Sequence, residues 1–255
     1  MVGTIAAAAR CDITKQMANA SLMGIAHRGA SAYAPENTVA AFDEAIRLGA
    51  AAIEFDVRET ADGVPVVVHD ETVDRTTNGH GRVNELTRLE LLRLDAGSWK
   101  HPRFAGTRIP TVAEALAAID DLAIPVLELK TTVSAGILAD ILTDFAMTDR
   151  AVVLSFEAFM LAPLRPVLPN IRIGLLADVW TTDLPQRCVQ TGAGIIVADT
   201  EILSLERVGQ IRSAGLAVWT YTVNDAGTVA ACAAMGVTGV ITDYPDLIRS
   251  RGVPS

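Results

Sequence analysis

The sequence predicts an α/β chain folded as a (β/α)8 TIM-type barrel with an inserted excursion after the third strand. Three observations predict it. Short apolar, β-branched runs alternate with Ala- and Leu-rich helical stretches from one end to the other, the order expected of a parallel sheet covered by helices. Runs such as Val64-Pro-Val-Val-Val68 and Ala52-Ile-Glu-Phe-Asp-Val57 show little polar alternation, which suits strands covered on both faces. The 255 residues also match the roughly 250 that such a barrel uses as one domain. An open doubly wound sheet competes, but no Gly-rich phosphate loop follows the first apolar run.

Strands are expected at 24–29, 51–57, 64–70, 124–130, 151–156, 171–177, 194–199 and 216–222, with a ninth candidate at 237–243. Most are short apolar runs rich in Val, Ile and Leu, and several end in polar residues. Helices are expected between them at 38–48, 112–121, 134–145, 159–167, 183–190, 204–214 and 226–235. The link 58–63 is too short for a helical crossover, which takes about a dozen residues, and its Ala-Asp-Gly is a turn signal. Strands two and three should therefore form a hairpin that returns His69 beside Glu54 and Asp56. The 40-residue stretch 71–110 is rich in Thr, Gly, Arg and Asp, with one weak helical segment at 87–94. It reads as an excursion over the barrel mouth, and long connections inside compact domains are usually functional or disordered. Residues 1–22 read as a poorly ordered extension, and 23–250 as a single barrel domain.

Half of the residues are hydrophobic and 20% are charged, an ordinary globular balance that excludes collagen-like, mucin-like and disordered chains. A net charge of -9 and a pI near 4.9 argue against a nucleic-acid partner, because phosphate backbones reward clustered Lys and Arg. Cys11, Cys188 and Cys232 form neither a disulfide framework nor a zinc cluster, so a reducing compartment is expected. The apolar run Ile5 to Ala9 is too short for a signal-peptide core. No later run approaches the roughly 20 apolar residues of a membrane span. Cytoplasmic location, without membrane insertion, is the expectation.

A barrel presents its reactive groups at the C-terminal ends of its strands, and the first strand ends in His27, Arg28 and Gly29. Glu54 and Asp56 are spaced by two, so both project from one face of the second strand, the interior of a closed barrel. Burying either carboxylate ionised and unpartnered costs several kcal/mol. Glu128 adds a third, and three acidic groups with water suit a hard divalent cation such as Mg²⁺, Ca²⁺ or Mn²⁺. Buried ion pairs with Arg28, Lys130 and Arg58 are the alternative. His27 and His69 are two of four histidines, each directly after an apolar run. Flanking a carboxylate cluster, they suggest a general acid and base. Arg28 and Lys130 would clamp an anion. Together these groups describe phosphoryl chemistry on a small molecule. His80 and His101 should face solvent. Cys188 and Cys232 should be core, and Ser155 lacks the Gly-x-Ser-x-Gly elbow of a serine hydrolase.

These residues fall in a dispersed series: Ala-His27-Arg28-Gly29-Ala, Pro35-Glu36-Asn37-Thr38 with Ala41-Phe42, Ile-Glu54-Phe-Asp56-Val, Thr60-x-Asp62-Gly63 and Val-Val-His69-Asp70. It continues through Arg75-Thr76-Thr77, Gly81, Ile109-Pro110-Thr111, Leu127-Glu128-Leu129-Lys130 and Thr242-Asp243-Tyr244-Pro245. The series resembles the glycerophosphodiester phosphodiesterase family (the GP-PDE domain), from about Gly24 to Ile248. The resemblance implies a barrel enzyme with His27 and His69 as general acid and base, in either order, and with Glu54, Asp56 and Glu128 holding one divalent metal. It implies that Arg28 and Lys130 grip the phosphate. It also implies cleavage of glycerophosphodiesters, such as glycerophosphocholine, into sn-glycerol 3-phosphate and an alcohol. A cyclic phosphate intermediate or direct attack by water could carry the step. Where the family shows Trp-Thr-Val-Asn at the end of strand eight, this chain reads Trp219-Thr-Tyr221-Thr-Val-Asn224. Trp219 and Tyr221 share one strand face and could wall the substrate or simply fill the core. A lipid-directed phosphodiesterase of the lysophospholipase D or sphingomyelinase D type, and a non-catalytic phosphodiester-binding protein, are the competing functions.

Overall fold

A computed structural model describes residues 22–248. The expected extension lies, apart from Leu22, outside the described residues, as does Cys11. Nine strands run in chain order: β1 Met23–Ala26, β2 Ala52–Glu59, β3 Pro65–Val67, β4 Ile124–Leu129, β5 Val152–Ser155, β6 Arg172–Ala177, β7 Ile195–Asp199, β8 Ala217–Tyr221 and β9 Gly239–Thr242. Eight of them close into a parallel barrel in the order β1-β2-β4-β5-β6-β7-β8-β9, with β9 returning to β1 through Ile25 opposite Ile241. Closure removes every sheet edge among the staves.

The barrel is confirmed, with one correction to its staves. The third expected strand is not a stave: β3 pairs antiparallel with β2, Val57 opposite Val67, as the short 58–63 link requires, and otherwise only bridges Val66 to Thr111. The ninth candidate is the stave that closes the ring. The expected helix at 159–167 is also two short helices, because Pro163 offers no N–H to an unbroken ladder. The α-helices of the described residues are α1 Val39–Arg47, α2 Arg88–Leu91, α3 Val112–Ile119, α4 Ala135–Asp144, α5 Ala158–Leu161, α6 Leu164–Val167, α7 Leu184–Gln190, α8 Leu205–Ser213 and α9 Ala226–Met235, of which α5 and α6 are the split pair. Their starts are chemically marked: Thr111 accepts from the Glu114 N–H and Thr87 from that of Glu90, each inside a capping box.

Strand alternation divides the core. Ile53, Phe55 and Val57 point outward into the layer beneath the helices, with Leu127 and Leu129 of β4. Ile25, Ala52, Val126, Leu154, Val197, Trp219 and Ile241 fill the barrel interior. Gly239 makes room for the largest of these, since a Cβ there would lie 2.5 Å from Trp219 Cδ1. The excursion is ordered and carries its own small core, in which Val73, Val83, Leu91, Ala96 and Ile109 pack on Val66 and Val68 of the hairpin.

Candidate active site

The same alternation that sends Ile53, Phe55 and Val57 outward sends Glu54 and Asp56 into the upper barrel, and Glu128 joins them from the facing position of β4, opposite Asp56. One carboxylate oxygen from each of the three lies within 4.8 Å of the others. All three residues are buried. Glu54 Oε2 accepts the Arg28 backbone N–H at 3.0 Å, while its Oε1 is buried with no partner. Burial, reinforced by the charges of Asp56 and Glu128, holds the Glu54 carboxyl well above the usual carboxylate range. Burial and then Asp56 raise Glu128 likewise. Asp56 goes the other way: burial opposes its ionisation, but Arg28 and Lys130 outweigh it and hold the carboxyl low. Asp56 is tied down by Asn37 Nδ2 at 2.7 Å, Arg28 Nε at 3.3 Å and Lys130 Nζ at 3.3 Å. Lys130 Nζ also meets Glu128 Oε1.

These donors fit a divalent cation. Two of three converging carboxyls resist ionisation where they stand, one of their oxygens has no proton donor, and hard oxygen donors are what Mg²⁺, Ca²⁺ and Mn²⁺ take. The ion-pair alternative accounts for Asp56 and for the Lys130 contact of Glu128 but leaves Glu54 Oε1 without a partner.

Around this cluster stand the other expected residues. Arg28 and Gly29 both turn through positive φ, at 55° and 79°, which is uncommon for an arginine. The bend lets the Arg28 N–H reach Glu54 while its guanidinium reaches Glu36 and Asp56. A Cβ on Gly29 would come within 2.7 Å of Ala41. His27 Nδ1 lies 2.7 Å from Asp243 Oδ1, and His69 Nδ1 lies 2.7 Å from Asp70 Oδ1. With a carboxylate accepting at Nδ1 in both rings, Nε2 is the nitrogen left to exchange protons. Burial lowers the His69 imidazole below its ordinary pKa, with Asp56 pulling the other way. The hairpin brings His69 back to the carboxylates as expected, close enough for Asp56 to act on it electrostatically.

Asp243, Asp70, Glu36 and Asn37 contact these side chains, and Asn224 contacts Asp243, although residue type alone does not mark them. Asp243 accepts from Ser31 Oγ at 2.8 Å and Asn224 Nδ2 at 2.6 Å besides His27. Burial works against its ionised form, but these donors hold its carboxyl below the usual range. A usable signal was present: an Asp directly after His69, and another at the end of the ninth apolar run. Of the two β8 aromatics, Trp219 has no exposed surface and belongs to the barrel core. Tyr221 is partly exposed, its hydroxyl donating to the Ala177 carbonyl at 3.3 Å and its ring edge-on to Phe156 at 6.2 Å. His80 and His101 are exposed, and Cys188 and Cys232 are buried, as expected.

The model of the glycerophosphoryl diester phosphodiesterase family matches residues 27–247. The chain is 40% identical over 235 residues to YhdW of Bacillus subtilis (strain 168), covering 89% of this chain and 97% of that protein. It is 36% identical over 238 residues to the glycerophosphodiester phosphodiesterase of Caldanaerobacter subterraneus subsp. tengcongensis, covering 89% and 98%. Among solved structures it is similar to an Oleispira antarctica phosphodiesterase in complex with the product sn-glycerol-3-phosphate, with a TM-score of 0.85, 30% identity, and coverage of 88% of this chain and 94% of that one. With a matched fold, a matched motif series and relatives aligned over nearly their whole length, the chain belongs to the glycerophosphoryl diester phosphodiesterase family.

Proposed function

We propose that the chain hydrolyses glycerophosphodiesters to sn-glycerol 3-phosphate and a free alcohol, and that it does so with a divalent ion held by Glu54, Asp56 and Glu128. The observation that carries this reading is the pair of imidazoles, each with Nδ1 on a carboxylate, beside a buried three-carboxylate cluster. Arg28 and Lys130 bind and orient the phosphate. When present, the ion supplies positive charge to offset that of the phosphoryl oxygens. One imidazole takes the proton of the attacking hydroxyl at its Nε2, and the other delivers a proton to the departing alcohol oxygen as the P–O bond breaks. With the neighbouring glycerol hydroxyl as nucleophile the product is a cyclic phosphate. Water then opens it, with the two imidazoles exchanging roles. Asp243 and Asp70 hold the rings so that each Nε2 stays available.

On this reading Tyr221 with Phe156, rather than the buried Trp219, faces the alcohol group. Residues 23–250 act as one domain. A reducing, cytoplasmic setting suits Cys188 and Cys232, which are buried and unpaired, and recovery of an exported mature form would contradict it. No helix among the described residues is long and apolar enough to cross a membrane.

A lipid-directed activity of the lysophospholipase D or sphingomyelinase D type is the second reading. It draws on Phe156, Phe159 and Val179, which are exposed in the segments that follow β5 and β6. The deciding experiment follows glycerol 3-phosphate release from glycerophosphocholine with Mg²⁺, Ca²⁺ or Mn²⁺, alongside a lysolipid. Turnover of the water-soluble diester, abolished by chelator and by His27→Ala or His69→Ala, is expected. Faster turnover of the lysolipid would move the assignment to the second reading, and tight binding without turnover would make the protein a binder.

A further inference from the structure

Arg75, the first arginine of the excursion, stands between two carboxylates that serve different halves of the site. Its Nη1 and Nη2 donate to Glu36 Oε2 and Oε1, both at 2.8 Å. Its Nε and Nη2 donate to Asp70 Oδ2 and Oδ1 at 2.6 and 3.1 Å. Glu36 Oε1 also accepts from Arg28 Nη1 at 2.8 Å, and Arg28 Nε lies 3.3 Å from Asp56. Asp70 Oδ1 is the partner of His69 Nδ1 at 2.7 Å. Charge alternates without interruption along Asp56, Arg28, Glu36, Arg75 and Asp70, and the series ends on the His69 ring.

A planar guanidinium can grip two carboxylates at once with paired donors, whereas an ammonium is a point charge that must choose. The backbone that presents Arg75 is itself held. Val73 lies in the small core of the excursion, Thr76 and Thr77 are buried, and Thr77 Oγ1 donates to the Val73 carbonyl at 2.7 Å. The core of the 71–110 segment therefore sets where the guanidinium sits, and the guanidinium sets where Glu36 and Asp70 sit.

We infer that Arg75 is a positioning residue that holds the proton-transfer ring of His69 and the phosphate clamp Arg28 in one fixed relation, and that the excursion serves the reaction through it. The inference rests on the roles of His69 and Arg28 proposed above. Loss of Arg75 should then act on both kinetic parameters: kcat falls because Asp70 no longer holds the ring, and KM rises because Glu36 no longer holds Arg28.

The test compares Arg75→Met, Arg75→Lys and Arg75→Ala in the full chain, with Arg82→Met as control. Arg82 belongs to the same segment but pairs only at the surface with Glu71, at 2.6 Å. With glycerophosphocholine and saturating Mg²⁺, kcat/KM should fall about 10- to 100-fold in Arg75→Met, the usual effect of removing a group that orients a reacting one. The loss should divide between kcat and KM and exceed what the fall in melting temperature from freeing Glu36 and Asp70 accounts for. Arg75→Lys should recover only part of it, guanidinium ion should restore activity to Arg75→Ala where ammonium does not, and Arg82→Met should match the parent. Arg75→Met activity within twofold of the parent, or a loss that tracks the melting temperature and ignores guanidinium, overturns the inference. Long-range ¹H–¹⁵N correlation of the histidine rings gives a readout without turnover: His69 should be protonated at Nδ1 in the parent and a tautomer mixture in Arg75→Met. Should the parent hydrolyse no glycerophosphodiester, the proposed function fails, while an unchanged His69 tautomer in Arg75→Met would still overturn the role given to Arg75.

Discussion

Burying Glu54 with one oxygen unpartnered costs the metal-free protein stability, because a carboxylate taken out of water without a donor loses its solvation and gains nothing in return. Glu54→Gln keeps the shape and removes the charge. We expect it to melt no lower than the parent in chelator, and to lose the upward shift in melting temperature that added Mg²⁺ or Mn²⁺ produces by mass action in the parent. A metal-induced shift that persists unchanged in Glu54→Gln would contradict its role as ligand. Asp243 makes a different prediction. Asp243→Asn preserves the contact with His27 Nδ1 but offers a neutral partner that can stabilise the wrong tautomer. We expect kcat to fall by about 10²- to 10⁴-fold, the range seen when a ring-orienting acid is neutralised or proton transfer is lost. Both consequences depend on which atoms meet, and that was only partly legible in the sequence. Glu54, Asp56, Glu128 and the two histidines stood out because their types and their places at the ends of apolar runs are unusual for a core. Asp243 and Asp70 did not, because an aspartate after a strand is ordinary turn chemistry until the partner ring is seen.

The excursion behaves as a small folded element rather than a mobile cover, and Asp95 shows why. Its two oxygens collect the N–H groups of Gly97, Ser98 and Gly106 at 2.8, 2.9 and 2.8 Å, and the Ser98 hydroxyl at 2.7 Å. These donors hold its carboxyl below the usual range. Asp95→Ala should speed amide exchange at Gly97, Ser98 and Gly106 while leaving the barrel amides and the global melting temperature almost unmoved; uniform exchange across the chain would contradict this. Within the barrel, Gly239→Ala places a methyl against the rigid Trp219 ring, and overpacking of that kind costs about 1–3 kcal/mol, measurable by denaturant unfolding. At this scale the sequence misplaced one stave. The run 64–70 looks like any covered strand, and its Val66 and Val68 are indeed covered, but by the core of the excursion and not by a helix layer. Apolar pattern reports that a strand is covered and is silent about what covers it. The hairpin itself was legible, because chain length between strands is a hard geometric limit.

Across the molecule, opposing shifts give the metal-free protein an unusual dependence on pH. Asp70 and Asp243 are held below their ordinary values, Asp70 chiefly by hydrogen bonds from Arg75. They add stability above the unfolded carboxyl value of about 3.9, and that stability is lost as pH falls through their folded values. Glu54 and Glu128 are raised, so the folded state binds more protons than the unfolded one above about 4.3. Their contribution is present below that pH and is lost as pH rises through their folded values. Chelated protein should therefore lose stability on going up from mildly acid pH, and saturating divalent metal should abolish that loss. A metal-independent pH profile of the melting temperature would count against the site. The barrel as a whole was legible because its alternation of covered strands and helices repeats over most of the chain, and closure needs only that the last stave be counted.

The central claim is that Glu54, Asp56 and Glu128 hold one divalent ion within reach of His27, His69, Arg28 and Lys130. Anomalous diffraction from crystals grown with Mn²⁺ and sn-glycerol 3-phosphate tests it most directly. One strong manganese peak is expected among the three carboxylates, with the phosphate between it and the Arg28 and Lys130 side chains. Manganese bound elsewhere, or a phosphate seated away from both histidines, would contradict it.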